Sequence, residues 1–168
     1  MEALIAFILK NFTAVLLALG FIAAIIAIRN KEPPRSATYA AEVFLAFYLL
    51  FSIGISYFYN FIMHVFFGEM TAAFIGWADS PFQAEVGFAS LGFSLVGLYA
   101  ARAGFGARLA AILGPAMFLW GAAAVHAREM VTAGNFEPGN AGTVFYTDII
   151  TPIVGFALLF WRYRPRSA

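Results

Sequence analysis

The chain has 168 residues, 62% of them hydrophobic and 11% charged, with a formal net charge of +1. So few charges argue against a water-soluble fold, where about a quarter of residues would be charged, and the near-zero net charge gives no electrostatic basis for nucleic-acid binding. Cysteine is absent, which excludes disulfides, iron–sulfur clusters, thiolate metal sites and cysteine nucleophiles.

The apolar residues fall into runs, each near the roughly 20 residues that cross a bilayer's hydrocarbon core. In chain order they cover 3–28, 37–67, 83–101, 109–127 and 145–161. The pattern predicts an all-α fold: one membrane domain over 1–168, a bundle of five transmembrane helices. Basic residues follow the first run rather than precede it, so an uncleaved helix is expected there instead of a signal peptide. It ends at Arg29-Asn30-Lys31-Glu32-Pro33-Pro34-Arg35, a basic, proline-bearing loop. Further connections are Gly76-Trp77-Ala78-Asp79-Ser80-Pro81, the basic stretch from Arg102 to Arg108, and a Gly/Asn/Pro-rich loop before the fifth run.

With five spans the ends of the chain lie on opposite sides of the membrane. One face then holds Arg29, Lys31, Arg35, Arg102, Arg108, Arg162, Arg164 and Arg166, eight of the ten basic residues. The positive-inside rule makes that face cytoplasmic, with the N-terminus outside and the C-terminus inside. Most carboxylates, Glu2, Glu69, Asp79, Glu85, Glu129, Glu137 and Asp148, fall toward the outer end. Glu42 lies near the cytoplasmic end, where it is expected to pair with an arginine or reach interfacial water, the start of a proton path being the lesser reading. Trp77, Trp161 and Tyr163 occur where helices meet loops, as interfacial anchors do.

The two histidines, His64 and His126, sit near the outer ends of the second and fourth runs, level with Gln83, Glu85, Glu129, Tyr146 and Asp148. Ionisable groups at such depth face the bundle interior or an aqueous cavity. At 3.6 residues per turn, Glu42, Ile53, Asn60 and His64 share a sector of roughly 40°, with Tyr57 close beside them. On the third run, Ala84, Phe88, Leu91, Leu95 and Leu98 form a lipid-type stripe, leaving Glu85, Ala89, Gly92 and Val96 as the flank a neighbouring helix would approach. Ala122, His126 and Glu129 share a face of the fourth. Asp148, Thr151, Pro152 and Gly155 line one side of the fifth, and Pro152 frees the carbonyl of Asp148.

Imidazole and carboxylate converging from several helices point to a transition metal, zinc, iron or manganese. The expected ligands are His64, Glu85, His126, Glu129 and Asp148, with Asn60, Gln83 and Tyr146 orienting them. Haem b between the two histidines is a lesser reading. The plainer alternative is a hydrogen-bonded polar plug in a noncatalytic membrane subunit, and a proton, cation or small-molecule carrier is a third. Catalysis, were there any, would be metal-assisted. The expected surroundings are the lipid bilayer of a cell (cytoplasmic or inner) membrane, with a membrane-protein partner or a homo-oligomer both open.

Two motifs, Ser80-Pro81-Phe82-Gln83-Ala84-Glu85-Val86-Gly87 and Pro138-Gly139-Asn140-Ala141-Gly142 followed by Tyr146-Thr147-Asp148, resemble an uncharacterised family of small prokaryotic polytopic membrane proteins. The resemblance covers about the C-terminal two-thirds. It implies a multi-helix membrane fold and assigns no activity.

Overall fold

The computed structural model describes residues 7–165, and every regular element among them is helical. The helices are α1 (Phe12–Asn30), α2 (Ala37–Phe66), α3 (Gly68–Ile75), α4 (Phe82–Ala100), α5 (Phe105–Thr132), α6 (Pro138–Ala141) and α7 (Thr143–Tyr163). Local chemistry sets several boundaries. The Ser36 hydroxyl accepts from the Tyr39 N–H at 3.1 Å and caps α2. Gly76, at φ +80°, ends α3 in the left-handed region, and Pro138 opens α6 where a missing N–H is harmless.

Four helical stretches are long and apolar enough to cross a membrane: Phe12–Asn30, Ala37–Phe66, Phe105–Thr132 and Pro138–Tyr163. They turn Leu19, Ile22, Ile26, Phe58, Leu113, Ile153 and Phe160 outward. Apolar surface on that scale suits lipid rather than water. Helix α4 is 19 residues long but falls outside this set, since it opens with Gln83 and Glu85 and carries Ser90 and Ser94.

The single polar face expected along α2 does not persist. Residues Leu49–Ile55 form a π-helical segment, whose wider turn displaces the phase of everything beyond it. Ala37–Tyr48 accordingly packs on α1 and α7, whereas Ser56–Phe66 packs on α4. Glu42 and His64 therefore address different neighbours. The Ser94 hydroxyl donates to the carbonyl of Gly54 within the π segment at 2.7 Å. Gly97 lies against the same place: a Cβ there would stand 2.8 Å from the Gly54 nitrogen, so the two backbones cross as closely as glycine permits.

The expected packing flank of α4 is likewise corrected. Glu85, Ala89, Gly92 and Val96 are exposed, while Gln83, Gly87, Ser90, Ser94 and Gly97 are buried. In an apolar surrounding it is the polar and small residues, not the leucines, that turn inward.

A packed core of Leu45, Leu49, Ile53, Ala111, Ile112, Leu158 and Leu159 fills one half of the bundle. At that end Arg108, 2% exposed, donates to both Glu42 carboxylate oxygens, to the Ala100 and Ala101 carbonyls and to the Tyr163 hydroxyl. Arg162 Nε donates to Glu42 as well. Glu42 thus has the arginine partner expected for it, and a second besides. The opposite half of the bundle is open inside.

Candidate functional site

A cavity of about 1170 Å³ occupies that half. Its walls come from the start of α1 and from α2, α3, α4, α5 and α7, and they are mainly apolar: Phe12, Met63, Phe67, Phe74, Met117, Phe118 and Val125 among them. The polar groups on its surface include Ser52, Tyr57, Asn60, His64, Gln83, His126, Thr147, Asp148 and Thr151. Helix α3 folds across one side, held by the Thr71 hydroxyl donating to the Met63 and Phe67 carbonyls at 3.1 and 2.9 Å.

Each histidine is held by a carboxamide. His64 Nδ1 lies 2.6 Å from Gln83 Oε1. An amide oxygen only accepts, so the ring donates from Nδ1 and keeps Nε2 as its free lone pair. Gln83 reaches His64 because the next turn of α4 presents Gly87, where a Cβ would stand 3.3 Å from the His64 Cβ. A larger residue would push the helices apart.

His126 is held in the same way, 2.7 Å from Asn140 Oδ1. Here the amide orientation is fixed independently, because Asn140 Nδ2 donates to the His126 and Asn135 carbonyls at 3.2 and 2.8 Å. His126 therefore donates from Nδ1 too. Asn140 is 0% exposed. The short α6 brings it there by pressing Gly139 against Phe74 of α3, where a Cβ would stand 2.7 Å from the Phe74 carbonyl oxygen. Asn135 ties the same loops together, its Nδ2 donating to the Ile75 carbonyl at 2.9 Å while its Oδ1 accepts from the Glu137 N–H at 3.1 Å. The Trp77 ring stacks on the His126 ring with centroids 5.7 Å apart.

Asp148 stands opposite the free nitrogen of His126, with Oδ2 3.8 Å from Nε2. It is 3% exposed. Among the described residues no donor hydrogen-bonds to its carboxylate and no Lys or Arg pairs with it. Carboxylate and Nδ1-protonated imidazole both present acceptors across this gap, so a donor placed between them would satisfy both. The Tyr57 hydroxyl and Ser52 Oγ, buried on the wall of the same cavity, also have no hydrogen-bond partner among the described residues. Buried polar groups are rarely left so in a finished protein interior.

The expected metal ligands do not gather. His126 and Asp148 meet, and His64 shares their cavity, but Glu85 is exposed, Glu129 is half-buried, and neither lines it. Among the described residues no three His, Cys, Asp or Glu side chains form a group that could hold a metal ion. The residues present thus do not fit the zinc, iron or manganese centre that the linear pattern suggested. Of the expected supporting residues, Gln83 orients His64 and Asn60 lines the cavity while donating to Ser90 Oγ at 3.0 Å. Tyr146 is exposed, edge-to-face with Phe145.

Sequence reasoning overlooked Asn140 and Ser52, set Tyr57 only beside the polar sector of the second run, and read Trp77 as an interfacial anchor. Asn140 had a signal, since it sits within the Pro138–Gly142 motif, but its role was hidden by the loop-like composition around it. Ser52 and Trp77 had none for this site, because a serine or an aromatic at those positions suits packing or an interface equally well, and Tyr57 had only its place beside the polar sector.

Residues 10–168 match the model of a family of unknown function. No curated protein and no solved structure matches the chain.

Proposed function

The chain belongs to DUF6790, that family of unknown function, and from its cavity we propose that it is a multi-pass membrane protein binding an amphipathic small molecule within its helix bundle. The carrying observation is the cavity of about 1170 Å³, apolar over most of its wall, with His64, His126, Asp148, Tyr57 and Ser52 among its polar groups. Small-molecule sites have this character: extensive apolar surface for the body of a ligand and a few placed polar groups for its head. The hydrogen bonds from both imidazoles to carboxamide oxygens hold the rings in one orientation before a ligand arrives, which lowers the entropic cost of binding.

In this reading α4 crosses the membrane with the other four long helices. Its buried Gln83, Ser90 and Ser94 face the bundle, and its exposed Phe88, Leu95, Leu98 and Tyr99 face lipid. Five spans with the basic loops inside put the cavity toward the outer face of a cell membrane. Glu42, Arg108 and Arg162 then lock the cytoplasmic end of the bundle.

Protein reconstituted in zwitterionic lipid nanodiscs tests the proposal. Native mass spectrometry after mild purification is expected to show a co-purifying small molecule. An Ala122→Trp variant, which places an indole in the cavity, is expected to fold and to lose that molecule. Retention of the same molecule by the folded Ala122→Trp protein would overturn the proposal.

A further inference from the structure

We propose that the head group of the ligand is a protonated amine, with Asp148 as its counter-ion. This rests on the ligand-binding reading above and adds the chemistry that selects the ligand. Asp148 is the carboxylate on the cavity wall; the other titratable side chains there are Lys10, Tyr57, Tyr59, His64 and His126. Lys10 is exposed at the end of the first described helical turn and makes no ion pair with Asp148 among the described residues. His126 donates its Nδ1 proton to Asn140 and turns an acceptor nitrogen toward Asp148 at 3.8 Å. The gap between Asp148 and His126 therefore presents two acceptors to each other, and a primary ammonium carries donors for both groups together with the compensating charge.

The surrounding wall suits the same cation. Phe12, Tyr57, Tyr59, Phe74, Trp77 and Phe118 give it aromatic faces, and ring faces attract an ammonium most strongly where water is excluded. The unpartnered Tyr57 and Ser52 hydroxyls lie in the same wall, each able to donate as well as to accept. Size separates an organic cation from an inorganic one. A cavity of about 1170 Å³ with an apolar wall leaves most of its volume unused by a bare metal or alkali ion, whereas an amine on a hydrophobic body fills both parts.

The test uses three fluorescent probes with a common body, pyrenebutylamine, pyrenebutanol and pyrenebutyrate, on the full chain in zwitterionic nanodiscs. Binding is read by energy transfer from the protein's tryptophans. The amine is expected to bind at least about tenfold more tightly than the alcohol, with the carboxylate weakest. Asp148→Asn is expected to remove the amine's advantage while leaving the alcohol's affinity within about twofold, which also reports that the cavity has kept its fold. Equal binding of all three heads, or an amine advantage that survives Asp148→Asn, overturns the counter-ion assignment and leaves the cavity reading intact. Failure of every probe to bind the wild-type chain overturns both.

Discussion

Asn140 and His126, on α6 and α5, exchange two hydrogen bonds: Nδ1 of the ring donates to the amide oxygen at 2.7 Å, and the amide nitrogen donates to the histidine's own carbonyl at 3.2 Å. A third bond, to the Asn135 carbonyl at 2.8 Å, completes the valence of a fully buried carboxamide. Removing it leaves a ring N–H and two carbonyls to find other partners. Asn140→Ala is expected to destabilise the fold by about 2–4 kcal/mol, and Asn140→Asp by a comparable amount, because a carboxylate cannot donate to the carbonyls. Denaturant unfolding in mild detergent measures this, and a midpoint unchanged in both variants would refute the clamp.

Two glycines make opposite predictions. A Cβ at Gly139 would lie 2.6 Å from Phe74 Cδ1 and 2.7 Å from the Phe74 carbonyl oxygen, whereas nothing lies within 4 Å of one at Gly92. Gly139→Ala is expected to cost about 1–3 kcal/mol through overpacking. Gly92→Ala is expected to be neutral or to stabilise by up to about 1 kcal/mol, through better helix propensity. Equal unfolding midpoints for the two variants would contradict the close approach of α6 to α3.

The polar network at the other end couples α2, α5 and α7. Arg108 is buried, so losing its carboxylate partner strands a charge. Glu42→Gln is expected to lower stability by about 2–3 kcal/mol, less than the loss for a fully buried pair because Glu42 is partly exposed. Arg108→Met introduced into Glu42→Gln should cost less than Arg108→Met alone. Additive losses in this double-mutant cycle would show that the two side chains do not act together.

Hydroxyl deletion separates packing from binding. Tyr48 donates to the Thr151 carbonyl at 2.9 Å, while the Tyr57 hydroxyl has no partner among the described residues. Tyr48→Phe is expected to cost about 1 kcal/mol. Tyr57→Phe should leave stability unchanged or raise it, and should weaken pyrenebutylamine binding several-fold. A stability loss in Tyr57→Phe equal to that in Tyr48→Phe would mean that the hydroxyl is already satisfied.

Topology is open to direct labelling because the chain contains no cysteine. Ser80→Cys and Arg102→Cys, both at exposed positions flanking α4, are expected to differ in intact cells. A membrane-impermeant maleimide should label the first and reach the second only after permeabilisation. The same labelling pattern at both sites would rule out α4 as a span.

The approximate helix positions could be read from the chain because they follow from local quantities. The run at 37–67 became Ala37–Phe66, and that at 109–127 grew to Phe105–Thr132, since glycine and arginine at its start and polar residues at its end interrupt hydropathy without interrupting the helix. Facing was harder to read. An unbroken α-helix gives the wrong phase beyond Leu49–Ile55, and residue size alone gives the wrong flank of α4, where Ser90 and Ser94 turn inward. Glu85 illustrates the consequence: it is two residues from Gln83, which faces His64, and points away from the cavity.

Hydrophobicity and the spacing of charges, properties summed along a segment, were enough to mark the chain as a helical membrane protein and to bring His64, His126 and Asp148 to one level. Which of them meet was decided only in three dimensions. The π segment rotates the end of α2 toward Gln83, the glycine contact of α6 with α3 delivers Asn140 to His126, and α7 sets Asp148 across from the imidazole's free nitrogen. Helix rotation and non-local contact are set by packing against neighbours, and a change of one residue per turn redirects a side chain without altering any pattern in composition.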